Sequence, residues 1–216
     1  MRKKIIYIIA SLLMLYLIGV FSGLFRYLGK YFFNFDNQVR EFLIDLQTPF
    51  WNGFFNIITL FGEVKGFIGL GVALLGIFLF YKKRDFLLLF IMTIIGTEAF
   101  IWIGKVFTSR IRPTGEECYL EECSFPSNHA AIALAFYGFV IILMNNERLT
   151  KNNKNSKKIN FIALLIVFCS LLIVLIGFSR IYLGAHFLSD VIMGYIVAGL
   201  WLILAKNIYN KNILNF

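Results

Sequence analysis

The chain has 216 residues, of which 59% are hydrophobic and 18% aromatic, and its mean hydropathy is +0.78. Soluble domains are about 45–50% apolar, so this composition argues against an ordinary soluble domain and indicates a membrane protein. A net charge of +9 would suggest nucleic acid as the partner of a soluble protein. In a membrane protein it indicates cytoplasmic loops rich in Lys and Arg, and we expect no nucleic-acid partner.

Six apolar segments predict an all-α integral membrane bundle of six spans. About 20 apolar residues in a helix cross the hydrocarbon core, and only helices or closed barrels satisfy their backbone hydrogen bonds in lipid. The segments are continuous and do not alternate with period two, which favours helices. The first lacks a clear cleavage site, so we interpret it as an uncleaved span. The predicted spans are Ile5–Phe25, Phe67–Tyr81, Phe86–Gly104, His129–Met144, Ile159–Phe178 and Phe187–Ala205.

Basic residues predict the orientation of these spans. With six spans, four segments rich in Lys and Arg fall on one side: residues 2–4, 82–84, 148–158 and 206–211. The bias of basic loops toward the cytoplasm places both termini inside. The sequence therefore predicts a multi-pass plasma-membrane protein, and its many Asn, Lys and Ile residues suggest a bacterial source.

Residues Arg26–Gly62, between the first two spans, fall on the outer side. Aromatic and charged residues alternate there, and Val39, Phe42, Leu43 and Leu46 recur at helical spacing. This pattern predicts an amphipathic helix in the membrane interface. The helix either covers the bundle or guides lipid substrates into it, and the sequence does not separate these alternatives.

Two cysteines flank a short acidic run in a loop predicted to face outward. Cys118 and Cys123 are more widely spaced than a usual zinc pair, and no further ligands accompany them, so a metal site is not expected. A disulfide requires an oxidising side of the membrane. A disulfide and two free thiols both remain open.

Polar motifs at residues 105–113, 126–129 and 179–190 fall on the predicted outer face, where they can meet. In the last motif His186 and Asp190 are four residues apart, which on a helix places them on one face. The carboxylate can then fix the imidazole tautomer and leave the other ring nitrogen free to attack. Arg180 lies just upstream, and arginine presents paired donors suited to phosphate oxygens.

The first motif adds two cations, Lys105 and Arg112. They are seven residues apart, so they share a face if the segment is helical as far as Pro113. Basic residues at a membrane edge are usually anchors that reach toward the headgroups, and Arg110 is interpreted in that way.

The second motif marks the start of the fourth span, where Ser127 or Asn128 is expected to cap the helix and His129 follows. A helix N-terminus offers free N–H groups and a partial positive charge. Together with Lys105, Arg112 and Arg180, this end of the helix predicts a site for a phosphate dianion.

These motifs resemble those of the type 2 phosphatidic acid phosphatase superfamily, the membrane relatives of the vanadium haloperoxidases. That family has Lys-x6-Arg-Pro, Pro-Ser-Gly-His and Ser-Arg-x5-His-x3-Asp. Asn128 departs from the family glycine, but Asn tolerates positive φ and keeps its N–H, so we expect activity to be retained. The matching blocks are Lys105-x6-Arg112-Pro113, Pro126-Ser127-Asn128-His129 and Ser179-Arg180-x5-His186-x3-Asp190.

The resemblance implies a role for each matching residue. His186 would be the nucleophile and form a phosphohistidine, Asp190 would orient it, and His129 would protonate the leaving oxygen. No metal or other cofactor would be needed, and residues 1–216 would form one membrane-embedded phosphatase domain. The groups that would hold the phosphate are Lys105, Arg112, Ser127, Asn128 and Arg180.

The resemblance predicts an enzyme that hydrolyses a lipid phosphate or pyrophosphate at the outer membrane face. The substrates expected are undecaprenyl pyrophosphate, phosphatidylglycerophosphate or phosphatidic acid. One alternative passes the phosphoryl group to an acceptor other than water. Another is a non-catalytic protein that binds or transports anionic lipids, which would need the cations but not both His129 and His186. No protein partner is indicated.

Overall fold

The computed structural model describes residues 32–63, 84–115, 118, 123–150 and 156–213, together with residues 16, 19, 20 and 23. Within these ranges all regular secondary structure is helical. The first predicted span, Ile5–Phe25, lies outside the described residues apart from those four positions. The second, Phe67–Tyr81, lies wholly outside them, so the count of six spans stays a prediction.

The described residues form two shorter helices and four long ones. Windows within the long helices are apolar and long enough to cross a membrane: Asp85–Thr108, Asn128–Asn145, Ile159–Tyr182 and Leu188–Ile208. These windows confirm the third to sixth predicted spans as helices. The helices are α1 (32–45), α2 (Pro49–Leu60), α3 (Arg84–Thr108), α4 (Asn128–Thr150), α5 (Ser156–Tyr182) and α6 (Leu188–Ile213).

Helix α4 lies at the centre of the bundle and contacts α3, α5 and α6. Its small residues Ala130, Ala131, Ala133 and Ala135 are fully buried, which allows neighbouring backbones to approach closely. Gly194 of α6 lies against the α4 backbone, since a Cβ there would be 2.5 Å from the Ser127 carbonyl oxygen. This contact sets α6 directly beside the first turn of α4.

The predicted outer segment forms two helices. The chain breaks at residues 46–48, where Thr48 caps α2 by accepting a hydrogen bond from the Trp51 N–H (3.3 Å) and Pro49 takes the first helical position. Helix α2 packs against α5, with the Phe55 ring centroid 4.5 Å from that of Tyr182.

Only part of the predicted apolar stripe of α1 is buried in the structure. Leu43 is buried and Val39 is partly buried, but Phe42 and Leu46 are 65% and 49% exposed. The face that packs inward also carries Asp36, which is 2% exposed. Residues 36, 39 and 43 share this face because the α-helix repeats every 3.6 residues.

Candidate active site

His186 lies in the turn between α5 and α6 and is 2% exposed. The backbone N–H groups of Ala185 and His186 both donate to the Arg180 carbonyl (3.0 Å each), and Gly184 completes the turn with φ +69°. The imidazole Nδ1 lies 2.7 Å from the Ser124 carbonyl oxygen. Since a carbonyl only accepts, Nδ1 carries the proton and Nε2 keeps its lone pair.

Asp190 is the third residue of α6 and is fully buried. Its Oδ2 accepts hydrogen bonds from the Phe187 N–H (2.8 Å) and the Ser124 hydroxyl. It lies 3.7 Å from His186 Nδ1, which is an electrostatic contact and too long for a hydrogen bond. The predicted shared helical face is therefore wrong, because His186 precedes the helix. Asp190 comes near it by reaching back to the start of α6, as in a capping box.

Arg110 is not a membrane-edge anchor, so that interpretation was wrong. Its side chain is only 14% exposed, and its Nη1 donates to Asp190 Oδ1 (2.6 Å) and Ser189 Oγ (2.7 Å). Nη2 donates to Asp36 Oδ2 (2.7 Å), and the guanidinium lies 4.1 Å from the Phe187 ring centroid. The contacts are with residues distant in sequence, so no local pattern distinguished Arg110 from an anchor.

Three cations surround His129, the other histidine of the site. Lys105 is buried near the end of α3, Arg112 is half-buried in the following segment, and Arg180 lies in the last turn of α5. Helix α3 ends at Thr108, and Ser109 follows with φ +45°, so the predicted helical face shared by Lys105 and Arg112 is wrong. All three nevertheless act electrostatically on His129.

Arg180 is held by α2, since its Nη1 donates to Thr59 Oγ1 (2.7 Å). Its Nε is buried and has no hydrogen-bond partner among the described residues. Glu63, just after α2, and Arg112 also act on Arg180 electrostatically. Sequence reasoning missed Thr59 as a site residue, and no motif marks it.

The N-terminus of α4 lies where it was predicted, with Asn128 as its first residue. Ser127 precedes it and its carbonyl accepts from the Ala131 N–H (3.1 Å), but its Oγ is buried and has no partner in the described chain. The predicted side-chain cap by Ser127 is therefore absent. His129 follows and interacts electrostatically with His186.

The Asn128 side chain interacts with the carboxylate of Glu98 on α3. Glu98 is the sole acidic residue in the predicted third span, and a carboxylate at that depth is costly unless it has a partner. That signal could have identified it from the sequence.

Cys118 and Cys123 form a disulfide in the segment between α3 and α4. The structure thus decides between the two alternatives that the sequence left open. The residue after the bridge is Ser124, whose N–H donates to the Arg110 carbonyl (2.7 Å). The bridge therefore lies directly beside the groups that contact His186 and Asp190.

The family model described as the PAP2 superfamily matches residues 84–214. The chain belongs to the PAP2 superfamily. This confirms the resemblance found in the sequence motifs. It is 27% identical over 178 residues to "Phosphatidylglycerophosphatase B" of Bacillus subtilis (strain 168), a match that covers 82% of this chain and 84% of the relative. Family membership, this relative and the apolar helices support a bacterial membrane lipid phosphatase.

Two solved structures share the fold of this PAP2 superfamily member. A transmembrane PAP2-type phosphatidylglycerolphosphate phosphatase from Bacillus subtilis has a TM-score of 0.72 at 22% identity, covering 92% of this chain and 96% of that one. Aquifex aeolicus LpxE has a TM-score of 0.55 at 22% identity, covering 79% and 93%. Asp36 and Thr59 lie outside the residues that the family model matches.

In this PAP2 superfamily member, burial lowers the pKa of His186, and Arg180 and Arg112 lower it further, while Asp190 opposes them. A lowered pKa keeps the imidazole neutral, and so able to attack, as the pH falls through about 6.5, the ordinary pKa of a histidine side chain. The chain has two histidines, so NMR of the ring signals can follow each one, with His129→Asn identifying which signal is His129.

We expect the His186 signal in the wild-type protein to titrate below pH 6.5 or so. The matched reference is the same protein unfolded in urea, in which both rings should titrate at their ordinary value. A folded-state midpoint for His186 at or above that of the unfolded chain would contradict the predicted effect of burial.

Proposed function

We propose that this protein hydrolyses a phosphate or pyrophosphate ester of a lipid through a phosphohistidine at His186. The observation that carries the proposal is the setting of that imidazole. Its Nδ1 is fixed by the Ser124 carbonyl, so Nε2 is the nucleophilic nitrogen, and cations surround the approach to it. An anion-binding protein would need the cations but not an oriented, neutral imidazole.

In the first step His186 Nε2 forms a bond to phosphorus as the bond from phosphorus to the lipid oxygen breaks. His129 gives a proton to that leaving oxygen. In the second step His129 takes a proton from water, whose oxygen displaces the imidazole and releases phosphate. The second step thus returns the His129 proton and the His186 imidazole to their starting states, as general acid–base and covalent catalysis require.

The phosphoryl oxygens gain charge in both transition states, and preorganised donors there stabilise it. Two buried donors without partners among the described residues are suited to this role, the Ser127 hydroxyl and the Arg180 Nε. The first turn of α4 adds free N–H groups and its positive dipole end. The proposed phosphate-binding set is Lys105, Arg112, Ser127, Asn128 and Arg180.

The active site is proposed to face the outside, with both termini in the cytoplasm. The distribution of basic residues supports this orientation. The disulfide supports it too, because such bonds persist in oxidising compartments. Helices α1 and α2 would lie in the outer interface, where their exposed aromatic residues such as Phe50 and Trp51 would meet lipid.

Phosphatidylglycerophosphate and undecaprenyl pyrophosphate are the proposed substrates. The name of the Bacillus relative favours the first. An outward-facing site favours the second, because it would reach a carrier lipid released during wall synthesis. Both carry a phosphate at the end of a membrane-anchored chain, which fits a site at the level of the α4 N-terminus.

The test is phosphate release by the purified protein in detergent with EDTA, on undecaprenyl pyrophosphate, phosphatidylglycerophosphate and phosphatidic acid. We expect one lipid to be hydrolysed well above the others, without added metal. Arg180→Gln should lower kcat/KM about 100-fold or more, since it removes a charged donor from the phosphate. Lys206→Gln, an exposed change near the far end of α6, is the matched control and should have no effect. Failure to release phosphate from any lipid would contradict the proposal.

A further inference from the structure

Helix α1 places one carboxylate against the active site. Asp36 is 2% exposed, and its Oδ2 accepts hydrogen bonds from Arg110 Nη2 (2.7 Å) and Ser189 Oγ (2.5 Å). Its Oδ1 accepts the Ser189 N–H of α6 (3.0 Å). A buried charge of this kind is costly unless it is fully hydrogen-bonded. The two partners of Asp36 are both neighbours of Asp190, because Arg110 contacts Asp190 and Ser189 precedes it in the chain.

Arg110 lies between two carboxylates, with Nη2 on Asp36 and Nη1 on Asp190. Arg110 and Asp190 alone have a net charge of zero. Asp36 brings the trio to a net negative charge, and its member Asp190 lies 3.7 Å from His186 Nδ1. As Nε2 bonds to phosphorus the ring becomes positive, so this net charge would stabilise it.

We propose that Asp36 is a positioning residue for catalysis, which holds Arg110 and restores the negative charge that Arg110 would otherwise cancel at Asp190. The inference rests on the proposed function, because it concerns the same nucleophile. It assigns a part of the active site to α1, which lies outside the residues 84–214 that the family model matches.

Other charges face His186 from the elements packed around it. Asp190 comes from α6, Arg180 from α5, Arg112 from the segment after α3, and His129 from α4. A test of Asp36 must leave all four in place. Asp36→Asn changes no direct partner of these four groups, whereas a change of Arg110 removes a hydrogen bond to Asp190.

The experiment combines two readouts, lipid phosphate release and the NMR titration of His186. Asp36→Asn should lower the His186 midpoint by about one pH unit and kcat about tenfold, because it removes a negative charge and a charged hydrogen bond. Arg110→Met should raise the midpoint, because it removes a positive charge. Adding Asp36→Asn to Arg110→Met should cost little further activity, since Asp36 acts through Arg110.

Glu41→Gln is the matched control, since Glu41 is an exposed carboxylate on the same helix. It should leave both readouts unchanged, and Asp36→Glu should recover part of the loss. If Arg110→Met does not fold, Arg110→Lys replaces it and should keep the midpoint near the wild-type value, because the charge is kept.

The proposal is overturned if Asp36→Asn lowers activity and the unfolding temperature while the His186 midpoint stays unchanged, since that result describes a structural role only. It is also overturned if the two substitutions reduce kcat additively. If the wild-type protein hydrolyses no lipid, the proposed function fails, and the opposite shifts of the His186 midpoint still decide whether Asp36 and Arg110 act on the imidazole.

Discussion

Replacing His186 with Ala should abolish hydrolysis of every lipid phosphate, with a loss in kcat of about 10⁵-fold or more, as for other covalent nucleophiles. Without Nε2 no phosphohistidine can form, and the remaining cations bind the substrate but cannot cleave it. The measurement pairs steady-state phosphate release with rapid alkaline quenching of the enzyme mixed with substrate labelled in its phosphate. Labelled protein should appear in the wild type and be missing in His186→Ala.

The result also separates the alternative functions. The variant should bind a lipid phosphate about as well as the wild type, since the phosphate-binding groups remain. A phosphotransferase would label the protein and release little free phosphate, and an added acceptor alcohol would discharge the label as a new phosphate ester. Hydrolysis retained by a folded His186→Ala protein would refute the nucleophile assignment and with it the phosphohistidine mechanism.

Replacing His129 with Asn should have the second largest effect, and its size should depend on the leaving group. The alcohol of phosphatidylglycerophosphate would leave as a poorly stabilised alkoxide, so loss of the acid should slow cleavage of this substrate about 10²–10⁴-fold. A nitrophenolate leaves without a proton, so nitrophenyl phosphate should phosphorylate His186 at nearly the wild-type rate. Rapid-quench measurement of the labelled protein with both substrates tests this.

In the same variant the phosphohistidine should accumulate with nitrophenyl phosphate, because His129 is also the base that activates water in the second step. An equal loss on both substrates would instead place His129 among the groups that hold the phosphate. Thermal unfolding of each variant provides the control for folding, since His129 lies at the start of a buried helix.

The four long helices could be predicted from the sequence because each contains a continuous apolar run close to the length that crosses a bilayer, whatever its neighbours are. The break between α1 and α2 could also have been predicted from the sequence. Thr48 followed by Pro49 has the residue types of a helix N-cap and first turn, but the apolar spacing of residues 39–46 directed attention to a single helix.

The site was harder to predict where its contacts join distant residues. The spacing of His186 and Asp190 correctly suggested neighbours, yet His186 precedes the helix, and Asp190 comes near it by reaching back to the start of α6. Asp36 and Arg110 are 74 residues apart, so no local spacing in the sequence marks them as a pair. Only the packing of α1 against the start of α6 brings them into contact.

The contacts of α1 and α2 also affect how the chain can be divided or exchanged with relatives. A chimaera that keeps residues 84–214 and takes its N-terminal helices from another phosphatase would retain every recognisable motif. It would nevertheless replace the carboxylate behind Arg110 and the hydroxyl that holds Arg180. Its activity would then depend on whether the donor helices supply equivalent groups at those two points. These two side-chain contacts, and not overall sequence identity, would decide whether the two halves are compatible.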